Sequence, residues 1–278
     1  MAKKKVTVLD LQAKKDKNER FTMVTAYDYP TAQLVEEAGI EVILVGDSVA
    51  MVVLGMENTV SITMTEMLHH CRAVSRGAKR PLLVGDMPFM SYATVDDAVH
   101  NAGRFLKEAA MDVIKLEGGA RVVPMIKAIV EAGIPVMGHI GLTPQTISQL
   151  GGFRVQGKEA SDIQRLIDDA IALEEAGCFS IVLEAMPDRV ARLITEKVNI
   201  PTIGIGAGPF CNGQVLVLHD MVGLFDRFVP KFVKQYSDIH TPILQSLQQF
   251  KSEVETGTFP SSDHVFTIDD DILEQLYG

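Results

Sequence analysis

The sequence of 278 residues is short of the features that mark several classes of protein. It has only three cysteines, Cys71, Cys178 and Cys211, which lie far apart and form no Cys-x-x-Cys pair. A disulfide framework or a cysteine zinc site is therefore not indicated, and we expect reduced thiols in the cytoplasm. No apolar run reaches the roughly 18 residues that a membrane span needs. No apolar stretch follows the lysines near the start, so neither a secretory signal nor a transit peptide is expected.

Positive charge is in short supply as well. Lysine and arginine number 26 against 36 aspartates and glutamates, which gives a formal net charge of −10 at pH 7. Proteins that bind nucleic acid neutralise phosphates with a basic face, so this class is not expected. The 47% of hydrophobic and 22% of charged residues are ordinary proportions for a globular chain, and they argue against disorder.

One unit recurs along the chain: a helix tail, a stop at or near glycine, and a short β-rich run. Counting these runs gives eight predicted strands, at residues 21–28, 42–47, 81–86, 113–117, 135–139, 180–184, 201–208 and 215–223. Strands that alternate with helices favour a parallel sheet, either open and doubly wound or closed into a barrel. Eight units favour the closed form, an α/β fold of the (β/α)8 TIM barrel type.

The chain contains no linker rich in glycine, proline and serine, so we expect one barrel domain over residues 1–278. Apolar residues spaced about 3.6 apart predict a helix over 95–110, and Ser161 is the expected N-cap of a helix that runs to 176. The repeated strand–helix pattern stops near residue 232, and a helix is predicted at 241–255. We expect this extension to pack on the barrel or on a neighbouring subunit.

Acidic side chains stand at the ends of three consecutive predicted strands, at Asp47, Asp86 and Glu117. The active sites of such barrels lie at the carboxyl ends of the strands. Clustered carboxylates need a compensating cation, and hard oxygen ligands with no cysteine nearby favour Mg²⁺ or Mn²⁺. The sequence therefore predicts one metal site built from these three residues. The alternative is that each of them caps the helix that follows its strand.

Three further polar residues fall at the ends of strands, namely Lys115, His139 and Glu184. A metal with open positions suits a 2-oxo acid, and Glu184 is then the expected base for its C3 proton. The alternative for Glu184 is an ion pair with Arg189 or Arg192. Lys115 is expected to bind the substrate carboxylate or the enolate, with a Schiff base as the alternative. His139 would contact substrate or tune Lys115, or it is only a polar layer residue.

A glycine-rich segment, residues 204–208, ends the seventh predicted strand. Barrels often bind phosphate at this position through backbone N–H groups. A tight turn is the alternative interpretation.

Several segments together resemble the ketopantoate hydroxymethyltransferase family. They lie at residues 25–30, 45–48, 85–89, 115–119, 138–145, 151–153 (Gly151, Gly152 and Phe153), 204–208 and 229–232, and they keep the family's order from about residue 6 to 265. The chain departs from the family at Asn212, because the family usually has aspartate after the corresponding cysteine. No role is predicted for Asn212.

The resemblance implies a barrel of the phosphoenolpyruvate/pyruvate type, usually a homodecamer, acting in the pathway to pantothenate and coenzyme A. It implies transfer of a hydroxymethyl group from 5,10-methylenetetrahydrofolate to 3-methyl-2-oxobutanoate, with Mg²⁺ as cofactor and the folate as co-substrate. By motif, Asp47, Asp86 and Glu117 match the metal ligands, and Glu184 matches the proton acceptor. Asp47, Ser48, Asp86 and Lys115 match the residues that bind the oxo acid.

Three other functions remain possible for such a sequence. One is a Mg²⁺-dependent C–C lyase or phosphonomutase on the same kind of barrel, although we find no catalytic cysteine for it near the rim. The second is an isomerase that binds phosphate at the glycine-rich segment. The third is a barrel kept as an assembly or binding subunit without turnover.

Overall fold

Eight short parallel strands close into a barrel in the computed structural model, which describes residues 4–146, 154–225 and 227–277. The strands follow one another around the barrel in chain order, and β1 pairs with β8 to close it. The predicted (β/α)8 barrel is therefore confirmed. The strands are β1 (Phe21–Thr25), β2 (Val42–Val45), β3 (Leu82–Asp86), β4 (Val113–Lys115), β5 (Val136–Gly141), β6 (Ser180–Glu184), β7 (Thr202–Ile205) and β8 (Gly213–Leu216).

Helices connect the strands and form an outer layer around the barrel. They are α1 (Val8–Asp16), α2 (Tyr29–Glu37), α3 (Val49–Val52), α4 (Met64–Gly77), α5 (Val95–Ala109), α6 (Val123–Glu131), α7 (Ala160–Glu175), α8 (Asp188–Lys197), α9 (Leu218–Met221), α10 (His240–Glu255) and α11 (Asp270–Tyr277). Single 3₁₀ turns lie at Ala120–Val122, Pro144–Thr146 and Ser262–His264. Among the residues described, no helix combines the length and apolar character that crossing a membrane demands.

Side chains of each strand alternate between two apolar layers. In β2, Val42 and Leu44 pack inside the barrel, whereas Ile43 and Val45 pack against the surrounding helices. Both layers exclude water, and this explains why the strands read as nearly continuous apolar runs. Leu11 of α1 joins the inner layer, so the N-terminal helix covers one end of the barrel. The polar site is left to the other end.

Local sequence signals located most elements within a few residues, with two clear exceptions. Helix α5 ends at Ala109, one residue before its predicted end, because Ala110 turns left-handed with φ of 53°. Ser161 is not the N-cap of α7, because the extended backbone that precedes this helix is at Glu159. Strand β8 was predicted at 215–223, but it starts at Gly213 to pair with Phe21, and α9 follows it at once.

The C-terminal extension contains the predicted helix, α10, and none of its residues is buried. One side of this helix exposes large apolar residues, with Leu247 62% and Phe250 54% exposed, alongside Ile243, Leu244 and Val254. Monomeric proteins rarely expose contiguous apolar patches of this kind. The extension therefore does not bury its apolar side against its own barrel.

Candidate active site

A cavity of about 570 Å³ opens at the carboxyl ends of the strands. Its lining includes all seven site residues that the sequence predicted, namely Asp47, Ser48, Asp86, Lys115, Glu117, His139 and Glu184. Its other walls come from the glycine-rich turn after β7 and from the chain after β8, which contributes Phe225, Phe228 and Phe232. The barrel thus brings residues that are up to 137 positions apart, Asp47 and Glu184, into one cavity.

Strand geometry explains why the charged groups point into this cavity. Val113 packs inside the barrel, and side chains two apart on a strand share a face, so Lys115 at the end of β4 points inward too. Glu117 follows two residues later. The side chains of Lys115 and Glu117 are only 4% and 1% exposed. These charges are therefore held away from bulk water, where they interact strongly.

An ion pair between Asp86 and Lys115 forms the centre of the site. The Lys115 Nζ donates to both oxygens of Asp86 at 2.8 Å, and it lies 3.7 Å from Glu117 Oε1. The backbone N–H of Asp47 donates to Asp86 Oδ2 at 3.1 Å. Burial raises the pKa of Asp86, although Lys115 opposes the rise. Burial would lower the pKa of Lys115, but the charges of the three carboxylates raise it well above its ordinary value.

Asp47 carries the least compensated negative charge of the group. Burial raises its pKa well above the usual range, and the charges of Asp86 and Glu117 raise it further. The Lys115 ammonium and a hydrogen bond from Gln145 oppose this rise and do not cancel it. One ammonium thus faces three buried carboxylates, so the cluster favours a further positive charge or a proton.

His139 lies between two carboxylates, those of Glu117 and Glu184. Its Nδ1 is 3.2 Å from Glu117 Oε1 and its Nε2 is 3.1 Å from Glu184 Oε2, although neither contact has the angles of a hydrogen bond. Burial and Lys115 lower the pKa of His139, but Glu117 and Glu184 outweigh them and raise it to about 9. A protonated His139 therefore lies between Glu117, a predicted metal ligand, and Glu184, the predicted base.

The alternative ion pair for Glu184 is not formed among the residues described. Arg192 instead bonds to Glu196 at 2.7 Å, within its own helix. Glu184 keeps 16% of its side chain exposed and lines the cavity. Its carboxylate is therefore open to a bound substrate.

Two residues that sequence reasoning missed, the buried Gln145 and the half-buried Tyr92, hold the acidic cluster in place. Gln145 donates from Nε2 to Asp47 Oδ2 at 3.0 Å and to the Met87 carbonyl at 2.9 Å, and its backbone N–H reaches Glu117 Oε2 at 3.1 Å. The Tyr92 hydroxyl donates to Gln145 Oε1 at 2.6 Å and so fixes the direction of the amide. Gln145 falls in a segment that carries the family resemblance, whereas no signal in the sequence indicated Tyr92.

Ser48 supports the same wall of the cavity from the start of α3. Its Oγ lies 2.8 Å from the Tyr27 hydroxyl, and it makes no cap hydrogen bond to its own helix. The serine hydroxyl is therefore available at the cavity surface rather than used by the backbone.

The residues present fit a divalent cation, but not as a preformed cage of three acidic ligands. Within the described ranges, no group of three or more His, Cys, Asp or Glu side chains is arranged to hold a metal. Mg²⁺ needs only one or two carboxylates, since water and substrate oxygens complete its octahedron. Glu117 Oε1 is buried and accepts no hydrogen bond, and the pKa of Asp47 is raised. Both observations indicate that a positive charge would be stabilised here. All the donors are hard oxygens, which suits Mg²⁺.

The glycine-rich segment after β7 is explained by the turn that it makes. Gly206 has φ of +62°, and a Cβ on it would lie 2.6 Å from the Phe232 ring. Gly208 has φ of +75°, and a Cβ there would collide with Asp188. Both positions therefore require glycine for backbone conformation and space. The phosphate site suggested for this segment stays a prediction.

Asn212 lies just before β8, at the end of the barrel opposite the cavity. Its Oδ1 accepts from the Thr202 backbone N–H at 3.0 Å, and its carbonyl accepts from the Phe21 N–H at 3.2 Å. It joins the starts of three neighbouring strands. An aspartate could accept the same bond from Thr202, so the departure from the family pattern leaves the cavity unchanged.

The closed barrel defines a fold class, and comparison with solved structures identifies that fold. A crystal structure of phosphonopyruvate hydrolase complexed with oxalate and Mg²⁺ aligns with a TM-score of 0.61 at 13% identity, covering 97% of this chain and 94% of that one. A 2,3-dimethylmalate lyase aligns with a TM-score of 0.59 at 14% identity, covering 98% and 94%. The latter is described as a member of the PEP mutase/isocitrate lyase superfamily. The chain shares the barrel fold of that superfamily.

Sequence comparison narrows this class to one family. The sequence model of ketopantoate hydroxymethyltransferase matches residues 5–262. A 3-methyl-2-oxobutanoate hydroxymethyltransferase of Syntrophobacter fumaroxidans is 57% identical over 277 residues, 99% of this chain and 98% of that protein. The chain belongs to the ketopantoate hydroxymethyltransferase family, and it is an enzyme of the transferase type. Gly151, Gly152 and Phe153, which carry part of the resemblance, lie outside the described residues.

Proposed function

We propose that this enzyme transfers a hydroxymethyl group from 5,10-methylenetetrahydrofolate to 3-methyl-2-oxobutanoate with the help of Mg²⁺. The product is then 2-dehydropantoate (ketopantoate), an intermediate on the way to pantothenate and coenzyme A. The observation that carries the proposal is the meeting of a buried carboxylate–lysine cluster and Glu184 in one cavity of a chain from this family. The folate donor comes from the family resemblance.

Asp47, Asp86 and Glu117 are the residues that would hold Mg²⁺. Bound there, Mg²⁺ would supply Lewis-acid polarisation of the keto oxygen, which lowers the barrier to enolisation by several kcal/mol. The structural neighbour that holds oxalate and Mg²⁺ supports this assignment, because oxalate resembles a 2-oxo acid in its adjacent oxygens.

Lys115 and its neighbours orient the oxo acid. The Lys115 ammonium is positive and buried, and it lies between two carboxylates, so it can attract the carboxylate of the substrate. Because surrounding carboxylates raise the pKa of Lys115, the amine stays protonated and does not act as a nucleophile. This argues against the Schiff-base alternative. Ser48 and His139 add hydrogen-bonding groups at the cavity surface.

Glu184 is the proposed base. It accepts the C3 proton of the oxo acid, and the resulting carbanion is delocalised into the keto group. C3 then forms a bond to the methylene carbon of the folate, and both bonds from that carbon to nitrogen break, one as C3 attacks and the other as water adds the hydroxyl group. The C3 proton and a proton from water pass to the two nitrogens, and tetrahydrofolate leaves. His139, whose Nε2 lies 3.1 Å from Glu184 Oε2, stays charged near neutrality and places a positive charge beside the carboxylate that accepts the proton.

Replacing Glu184 with glutamine tests this assignment through one partial reaction. The enzyme with Mg²⁺ should exchange the C3 proton of 3-methyl-2-oxobutanoate for deuterium without folate, and proton NMR follows this exchange. Loss of a general base should slow it about 10²- to 10⁴-fold while calorimetric Mg²⁺ binding stays unchanged. Glu175→Gln, at an exposed position of α7, is the matched control. Exchange at the normal rate in Glu184→Gln would remove Glu184 as the base.

Assembly and location are two further proposals. We infer that the chain forms a homo-oligomer, a decamer by family resemblance, and the exposed apolar side of α10 supports an assembly of some kind. A cytoplasmic location rests on the few scattered cysteines, all of which are free and buried among the described residues.

A further inference from the structure

One buried carboxylate that lines the cavity has no part in the chemistry above. Asp220, in the short helix α9 after β8, is only 8% exposed and lines the same cavity as the metal-site residues. No hydrogen bond or ion pair to its carboxylate is formed by any residue that the structure describes. Burial alone raises its pKa, to about 6. A carboxylate with little access to water and no protein partner is costly, so a ligand that donates hydrogen bonds to it would be stabilised at this position.

The backbone around Asp220 is fixed. The Leu218 N–H donates to Thr25 Oγ1 at 3.0 Å, and the Gly223 N–H donates to the Asp220 carbonyl at 3.3 Å. Thr25 ends β1 and Leu218 follows β8, so the residue stands on the side of the barrel where these two strands meet. The metal-site carboxylates come from β2, β3 and β4. Asp220 is therefore placed to hold a second reactant beside the first.

The cavity next to Asp220 suits a flat heteroaromatic ring. Phe225, Phe228 and Phe232 line it together with Val217 and Pro230. Aromatic walls favour offset stacking or edge contacts with planar rings. The cavity of about 570 Å³ equals about 19 water volumes of ~30 Å³ each, far more than a five-carbon oxo acid fills. The site therefore has space for a second, larger and flatter ligand.

We propose that Asp220 binds the pterin ring of the one-carbon donor. A 2-amino-4-oxopyrimidine ring presents its N3–H and one 2-amino N–H side by side, and a carboxylate accepts both in a bidentate arrangement. The phenylalanine wall then covers the ring faces, and the one-carbon unit is presented toward the oxo acid. This inference rests on the proposed function, since it assigns the place of the folate in that reaction.

The first test compares Asp220→Asn with the unmodified enzyme. An asparagine puts an N–H donor where the carboxylate accepted, so one of the two hydrogen bonds is lost and a donor faces a donor. Tetrahydrofolate binding, measured by calorimetry, should weaken roughly 10- to 150-fold, as expected for hydrogen bonds to a charged group. KM for 5,10-methylenetetrahydrofolate should rise in parallel. Asp188→Asn, an exposed carboxylate at the same end of the barrel, should leave both values unchanged.

Folate-free deuterium exchange at C3 of the oxo acid separates this inference from the proposed function. Asp220→Asn should exchange at the normal rate, because enolisation does not use the pterin. If the unmodified enzyme exchanges and transfers normally and Asp220→Asn keeps its folate affinity, the pterin assignment alone is overturned. If Asp220→Asn lost deuterium exchange as strongly as it lost folate binding, Asp220 would belong to the part of the cavity that binds the oxo acid. That result would also overturn the pterin assignment. Failure of the unmodified enzyme to exchange or transfer would instead refute the proposed function.

A second measurement needs no variant and so does not depend on correct folding of Asp220→Asn. A tetrahydrofolate analogue with methyl in place of the 2-amino group lacks one of the two donors. It should bind the unmodified enzyme about 10-fold more weakly than tetrahydrofolate. Equal affinity for the two would contradict the pairing with Asp220.

Discussion

Replacing Lys115 with methionine should destabilise the folded protein by about 3–5 kcal/mol. Methionine keeps an unbranched side chain of similar shape, so the main loss is the positive charge. The Lys115 side chain is 4% exposed and that of Asp86 is 1% exposed, and two bonds of 2.8 Å join them. Without the ammonium, Asp86 is left buried and uncompensated beside Asp47 and Glu117. The penalty of breaking a buried pair then applies in full.

The assay is urea unfolding in EDTA, which keeps divalent metal from replacing the missing charge. Stability follows from the midpoint, provided that the slope with urea is unchanged. Lys14→Met is the matched control, because Lys14 bonds to Glu41 at 2.9 Å with side chains that are 28% and 20% exposed. A pair this accessible to water should contribute no more than about 1 kcal/mol. Similar losses from the two substitutions would refute the reasoning, since the larger loss at Lys115 is attributed to the burial of its pair.

Acid should narrow the difference between Lys115→Met and the unmodified protein. Burial already raises the pKa of Asp86 in the folded chain, and loss of Lys115 removes the main opposing charge. A carboxyl group whose pKa is higher in the folded than in the unfolded state destabilises the fold at pH values above its unfolded-state pKa. This destabilisation disappears when acid protonates the group in both states. The gap in unfolding free energy should therefore shrink from about pH 8 to about pH 5. A gap that widened over this range would contradict the assignment.

Two other predictions concern the support of the site and the assembly. Gln145→Met should weaken Mg²⁺ binding, measured by calorimetry, about 10- to 100-fold, because Asp47 loses the hydrogen-bond donor that orients it. Gln164→Met, on the surface of α7, is the control and should leave Mg²⁺ binding unchanged. Leu247→Glu should lower the mass measured by sedimentation, because it puts a charge on the exposed apolar side of α10, and an unchanged mass would exclude that side as a subunit contact.

Much of the site could be predicted because its residues end strands. The alternation of side chains put Lys115 and Glu117 on one face, and the order of strands put Asp47, Asp86 and Glu117 side by side. Both rules are local, so they operate on sequence alone. The position of Ser161 shows their limit. A serine near a helix start indicates a cap, but only the backbone angles at Glu159 decide which residue performs that role.

Contacts between distant segments could not be predicted in this way. Gln145 meets Asp47 across 98 positions of sequence, and Tyr92 meets Gln145 across 53. Polar side chains in loops have many possible partners, and nothing in the spacing selects one of them. Asp220 is similar, since an aspartate after a strand is usually exposed, and only the closed barrel shows it buried in the cavity.

The sequence by itself determined the repeated strand–helix unit, the eightfold count and the family, because these depend on local periodicity and on motifs that survive in one chain. Only the tertiary structure decided that Lys115 neutralises Asp86, that His139 lies between Glu117 and Glu184, and that no described residue pairs with the Asp220 carboxylate. Closing the barrel excludes water from these groups. In that environment the distance between charges, rather than their order along the chain, sets their protonation and chemistry.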